Sequence, residues 1–165
     1  MMDKNQTAML QTLMDRAEIQ DLFVGYYSGL GGGDPEGFGK FFIEGAELDV
    51  NGVVCRGYKQ IADLYRNVAA DKPKLTGTFR MILSNQLIEV NGETATAQMM
   101  WTQTLNDTIK GPPRLIEQGM EYNQLVKKNG KWLIAKRVVV ADSGLPDMMD
   151  ETYPSRKGFT MANLK

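Results

Sequence analysis

A single α+β domain, with helices in the first part of the chain and a curved antiparallel sheet after them, follows from three observations. Apolar residues recur at three- and four-residue spacing up to about residue 68, and they alternate at strand spacing beyond it. Three Asn-Gly pairs punctuate the alternating runs. Asn-Gly is the strongest short hairpin signal, because both residues accept a positive φ at little cost. The 165 residues suit one domain over 1–165, with a core of about 13–142 and a tail over 143–165.

Each element has its own signature. Residues 3–14 read as a short helical lead-in. Asp15 with Glu18 forms a capping-box pattern for a first helix, whose apolar face carries Ile19, Leu22, Phe23, Tyr26, Tyr27 and Leu30. Gly29 and Gly31–Gly33 end it. Asp34-Pro35 opens a second, short helix with Phe38, Phe41 and Phe42 facing inward. Ala46, Leu48 and Val50 alternate with polar residues and lead through Asn51-Gly52 into Val53–Cys55. Gly57 opens a third helix with Ile61, Leu64, Tyr65 and Val68, and Pro73 lies beyond its end. Strands are then expected over 80–90, 93–105, 116–127 and 132–140, joined at Asn91-Gly92 and Asn129-Gly130 by hairpins and between the middle two by the Gly111-Pro112-Pro113 loop. The tail is expected to cover a pocket mouth, to reach a neighbouring subunit, or to be a loose terminus.

Composition narrows the chemistry. Hydrophobic residues make up 42% and charged residues 24%, and the net charge is -1. A nucleic-acid or anionic-membrane partner needs clustered Lys and Arg, so neither is expected. The chain has no His, and Cys55 is its one Cys. Structural zinc, disulfides, and serine–histidine or cysteine–histidine catalysis are therefore excluded on ligand count. No Asp-rich loop suggests a carboxylate metal site. The glycine run 29–33 follows a helix rather than a strand and lacks Gly-Lys-Ser/Thr, so it is not read as a nucleotide loop. With one unpaired Cys and no long apolar run, a cytoplasmic location is expected.

The stretch Ile19-Gln20-Asp21-Leu22, with Tyr26, Leu30, Gly33-Asp34, Phe41-Phe42 and Ala46, resembles the opening of SnoaL-like domains of the nuclear transport factor 2-like superfamily. Arg56-Gly57-Tyr58-Lys59-Gln60-Ile61 is similar to the start of that family's third helix, and Ile88–Ala95 to its central hairpin. Gly130-Lys131-Trp132 with Arg137-Val138-Val139 is similar to its last strand. The resemblance implies a cone of curved sheet wrapped by about three helices around an apolar pocket. It also implies a dimer or trimer, a hydrophobic small-molecule substrate and no cofactor. Ketosteroid isomerases, scytalone dehydratases and bile-acid dehydratases are relatives, as are pure binding and scaffold proteins. Two features depart from the dehydratases. No His stands near Met81 and Ser84, and Gly31 occupies a position where bile-acid dehydratases carry Asp.

The remaining acid–base types are Tyr, carboxylate and Arg. Tyr26 matches a first-helix tyrosine that family enzymes aim into the pocket, with Tyr27 as its substitute if the helix is rotated. A phenol there donates to a developing oxyanion without adding charge. Glu117, Gly119, Glu121, Asn123 and Leu125 share one strand face, which makes Glu121 a general acid or base and Glu117 and Asn123 substrate contacts if that face lines the cone. The opposite face, with Ile116, Met120, Tyr122 and Val126, is the more apolar, so its burial is the competing arrangement. Arg80 and Arg137 sit in apolar strand patterns and need anionic partners, either a pocket carboxylate, a substrate oxygen or a structural ion pair. Asp49 is a further substrate contact only if its strand bulges. Trp101 and the 11 Met suit an adaptable pocket for an aromatic or polycyclic ligand. The functional expectation is a lyase or isomerase: a dehydratase, or a carbon–carbon lyase that releases an aldehyde, as associated with aromatic catabolism. The alternatives are a non-catalytic binder or scaffold and, last, a protein–protein adaptor.

Overall fold

The structure, a computed structural model, describes residues 3–30, 35–71 and 77–164. The helix punctuation at Gly31–Asp34 and Pro73 lies outside these residues, and so do the side chains of Leu30, Phe38 and Val68. The first helix, α1, runs unbroken over Lys4–Leu30. Its cap is Asp3, whose Oδ1 accepts the Gln6 N–H at 2.7 Å while the Gln6 side chain accepts the Asp3 N–H at 3.0 Å. This reciprocal pair is the capping box that the sequence suggested at Asp15. Asp15 is instead a buried residue in mid-helix. The short second helix is a 3-10 turn over Pro35–Phe41. It leads into β1 (Phe42–Val50), β2 (Val53–Arg56) and the helix α2 (Gly57–Asp71).

Four long strands complete the sheet: β3 (Thr78–Asn91), β4 (Thr94–Asn106), β5 (Arg114–Lys128) and β6 (Lys131–Ser143). The spatial order is β2-β1-β6-β5-β4-β3. Every neighbouring pair is antiparallel except β1 and β6, which run parallel. The exception follows from connectivity. The chain leaves β2 through α2 to start the far edge at β3, and the meander back delivers β6 beside β1. At the first and last Asn-Gly turns both residues have positive φ, 52° and 90° at Asn51-Gly52 and 51° and 74° at Asn129-Gly130. At the middle one Asn91 stays in the ladder opposite Thr94, and the turn begins at Gly92.

Of the five register shifts in the sheet among the described residues, one in β3 and one in β6 turn core and site side chains inward. In β3 the register shifts between Ser84 and Leu87, where Asn85 has φ 52°. Odd residues such as Leu83 therefore pack inward before it and even ones such as Ile88 after it. In β6 the pairing shifts between Lys136 and Ile134, leaving Ala135 as the extra residue. Trp132 and Ile134 enter the core, and the swap then turns Arg137 and Val139 inward and Val138 and Val140 outward. A bulge shifts the two-residue alternation by one position.

The main core lies between the inner sheet face and the helices, built on Ile19, Phe23, Leu48, Ile61, Met99 and Ile134. Each such side chain contributes about 1.5–3 kcal/mol by leaving water. A second cluster covers the outer face, where Tyr122, Val138 and Val140 pack under Leu164, with Tyr153, Phe159 and Met161 beside them. The tail is thus fixed to the sheet. Tyr122 donates to the Phe159 carbonyl at 3.0 Å and Gln124 to that of Leu164 at 3.1 Å. Asp49 belongs to this outer layer. It points away from the interior as its strand register requires, yet it is buried because Arg156 of the tail pairs with it at 2.5 Å and the Gly52 N–H donates to it at 2.8 Å. Asp49 tethers the tail on the outer face of the sheet.

Candidate active site

At the open end of the sheet a cavity of about 160 Å³ opens to one side. Tyr26, Tyr27 and Tyr65 come to it from the helices, and Trp101, Gln103 and Glu117 from β4 and β5. Pro146 and Met149, at the start of the tail, close another part of the wall. Its lining is mainly apolar, so the few polar groups that reach it stand out.

Helix geometry brings the three phenols together. Tyr26 and Tyr27 are successive residues of α1 with ring centres 5.1 Å apart at 80°, so their hydroxyls take different partners. The Tyr26 hydroxyl is hydrogen-bonded to that of Tyr65 on α2. Tyr27 donates to the Glu121 carboxylate. Glu121 is fully buried, as are Asn123 and Arg137. Arg137 Nε donates to Asn123 Oδ1 at 2.7 Å, Asn123 Nδ2 lies 3.4 Å from Glu121 Oε1, and Arg137 Nη2 lies 3.4 Å from the same oxygen. The guanidinium also lies 4.0 Å from the Tyr26 ring centre and 5.3 Å from that of Phe23. Ring faces and one carboxylate therefore hold a buried cation whose Nη1 and Nη2 have no hydrogen-bond partner among the described residues.

These surroundings set the protonation of the phenols. Burial raises Tyr27 well above its ordinary 10.0, and the Glu121 charge pushes the same way against a smaller pull from Arg137. Burial likewise raises Tyr65 well above the ordinary value, with Tyr26 adding to the effect. Tyr26 is raised by burial too, opposed first by the Arg137 charge. All three are hydrogen-bond donors at neutral pH rather than phenolate bases. Burial alone would lower Arg137, but the Glu121 charge and the phenols outweigh it and hold the guanidinium more firmly protonated.

The inward face of β5 carries Gly119, Glu121, Asn123 and Leu125, all buried, with Glu117 half-buried at the cavity. The more apolar face, with Met120 and Tyr122, lies outside, where the tail gives it apolar cover. Glu121 is sealed behind Tyr27, so the carboxylate that faces the cavity is Glu117. Arg80 does not line this cavity but a second groove, which it shares with Tyr27 and Met81. It is exposed on the outward register of the edge strand β3, and its Nη1 donates to the carbonyl of Phe79 at 3.0 Å. Tyr65 and Gln103 were missed as site residues. A phenol on the apolar face of α2 beside Ile61 and Leu64 was the available signal for the first; Gln103 had only its alternation with Trp101. Among the described residues no three Cys, Asp or Glu side chains converge as a metal-binding set, and no helix is long and apolar enough to cross a membrane.

A curved sheet closed by helices on one face, with a phenol-lined apolar cavity at its open end, defines a class of small α+β pocket domains. The chain belongs to the SnoaL-like domain family, whose pattern its residues 11–138 match. No match is found among curated proteins. Solved structures are similar throughout the fold. One is a Mycobacterium tuberculosis protein of unknown function, 25% identical over 81% of this chain and 75% of that one, with TM-score 0.69. Another is a nuclear transport factor 2-like protein with a cystatin-like fold from Novosphingobium aromaticivorans, 23% identical over 91% and 98% with TM-score 0.69. A third, from the same organism, is described as a candidate scytalone dehydratase and is 18% identical over 78% and 85% with TM-score 0.63.

Proposed function

We propose that the chain is a lyase or isomerase that moves a proton on a compact, oxygenated, mainly hydrophobic molecule, using only tyrosine and carboxylate side chains. The observation that carries this reading is the division of labour around the cavity. Three phenols kept protonated by burial line it together with one carboxylate, Glu117. Tyr27 spends its one O–H on Glu121, and the Tyr26–Tyr65 pair spends one O–H within itself, so the second O–H of that pair is the donor placed to receive charge that develops on a carbonyl oxygen.

For a β-hydroxy ketone the steps balance as follows. Glu117 takes the proton from the carbon next to the carbonyl, and the electron pair moves onto the carbonyl oxygen, where a hydroxyl of the Tyr26–Tyr65 pair holds it. The enolate then re-forms the carbonyl and expels the hydroxyl group from the β carbon. That hydroxyl leaves as water with the proton Glu117 carries. Returning the proton to a different carbon of a conjugated enolate gives isomerisation by the same machinery. Glu121 and Arg137 act one layer behind, orienting Tyr27 and Tyr26.

The test is dehydration of 3-hydroxy-1-phenylpropan-1-one, followed through the absorbance of the vinyl ketone product. Glu117→Gln is expected to lower kcat by about 10²–10⁴-fold. The double change Tyr26→Phe with Tyr65→Phe is expected to lower it by about 10²–10³-fold, with KM changed little in either variant. Full activity in both variants would sink the assignment. A non-catalytic binding role is favoured by one observation: Glu121 and Arg137 neutralise each other behind the phenols and do not line the cavity. Ligand binding with no turnover in the unaltered protein would select it.

A further inference from the structure

Trp101 is 94% buried (6% exposed), its ring forms part of the cavity wall, and its indole N–H, which has almost no surface open to the cavity until a neighbour shifts, has no hydrogen-bond partner among the described residues. The indole nitrogen can only donate, so nothing about its own chemistry satisfies it. An orphan donor of this kind costs about 1–3 kcal/mol, and native structures keep few of them without a use.

The indole is held in place by the neighbouring strand. Trp101 of β4 pairs with Gly119 of β5, between the Met99–Glu121 and Gln103–Glu117 rows. A Cβ at Gly119 would lie 2.9 Å from Trp101 Cζ2 and 2.1 Å from the Val140 carbonyl oxygen. The missing side chain is the space the indole uses. The other tryptophan supplies a contrast, because Trp132 donates to Asp15 at 3.0 Å and is satisfied within the protein.

We propose that the Trp101 N–H is a ligand anchor and that the cavity takes a single-ring aromatic molecule with two acceptors, one oxygen for the phenols and a second for Trp101. The inference rests on the cavity being the ligand site, as the proposed function holds. Size fits one ring: about 160 Å³ compares with the roughly 150 Å³ of an engineered apolar cavity that takes up benzene.

Two probes of nearly equal shape test it. In 1,4-diacetylbenzene both ends carry a carbonyl; in 4-isopropylacetophenone a methyl group replaces one carbonyl oxygen. Calorimetric titration of the unaltered protein is expected to give the diketone an advantage of about 3–10-fold. Trp101→Phe is expected to remove that advantage while leaving the monoketone within about twofold. A second readout needs no variant. In ¹⁵N-labelled protein the Trp101 indole resonance is expected to move downfield with the diketone and not with the monoketone, while that of Trp132 stays put.

Equal affinity for the two probes, or an unmoved Trp101 resonance, overturns the anchor and leaves the acid–base reading intact. Undiminished turnover in Glu117→Gln sinks that reading and leaves the anchor standing. Binding of neither probe overturns both.

Discussion

The two ends of the domain bury a carboxylate in different ways. At the closed end Asp15 accepts Trp132 Nε1 at 3.0 Å, Lys127 Nζ at 2.5 Å and Gln11 Nε2 at 3.3 Å. Three donors converge on it, and it does not line the cavity at the open end. At the open end Glu121 takes a phenol, an amide and a guanidinium, yet among the described residues two Arg137 nitrogens and the Trp101 N–H have no hydrogen-bond partner, and the phenols line the cavity. The first network staples α1 to the β5–β6 hairpin. The second leaves buried donors without a partner among the described residues.

Breaking the open-end network has the largest predicted effect on stability. Glu121→Gln strands the buried Arg137 charge and is expected to cost about 3–5 kcal/mol. The double change Glu121→Leu with Arg137→Met is expected to recover most of that in urea unfolding, because it removes both charges together. No recovery would mean that the ion pair itself, rather than its stranded half, stabilises the fold.

Asp15→Asn at the closed end is expected to cost less, about 1–2 kcal/mol, since an amide still accepts from Trp132 while the Lys127 side chain remains 18% exposed. At about 2–4 °C per kcal/mol for a chain of this size, the thermal midpoint should fall by a few degrees. Affinity for cavity ligands should not change.

The two ends should also fail at opposite extremes of pH. Burial would raise Asp15, but the hydrogen bonds from Lys127, Trp132 and Gln11 outweigh it and hold its carboxyl below the ordinary 3.8. That stabilisation is present above the unfolded value and is lost as pH falls through the folded one, so acid loosens the closed end. Tyr26, Tyr27 and Tyr65 are all raised above 10.0. Their contribution is complete below about pH 10 and is lost as pH rises through the folded values, where unfolded tyrosines ionise first. Asp15→Asn should flatten only the acid limb of a stability–pH curve, and Tyr27→Phe only the alkaline one. Effects on the same limb would break the contrast.

Much of the fold was legible in advance. The Asn-Gly pairs located all three hairpins, and helical spacing located α1 and α2, because those signals are local. The sense of the β1–β6 pair was not, since parallel pairing depends on the path of the whole chain. The start of α1 was misplaced because Asp15 with Glu18 imitates a cap, whereas Asp15 is drawn inward by Trp132 and Lys127, more than a hundred residues away. The site was half legible. The β5 face carrying Glu117, Glu121 and Asn123 was named, but its direction was open until the tail was seen to cover the competing apolar face. Arg80 and Arg137 looked alike in their strand patterns. A bulge at Ala135 turns Arg137 inward, and the register of β3 leaves Arg80 outside.

The account depends most on Glu117 moving a proton while a hydroxyl of the Tyr26–Tyr65 pair holds an oxyanion, and solvent exchange reads that step without requiring the natural substrate. Acetophenone incubated with the protein in D₂O is expected to gain deuterium in its methyl group faster than in buffer, as followed by proton NMR, and Glu117→Gln is expected to return the rate to that of buffer. Exchange no faster than buffer with the unaltered protein, or equally fast with Glu117→Gln, would contradict it.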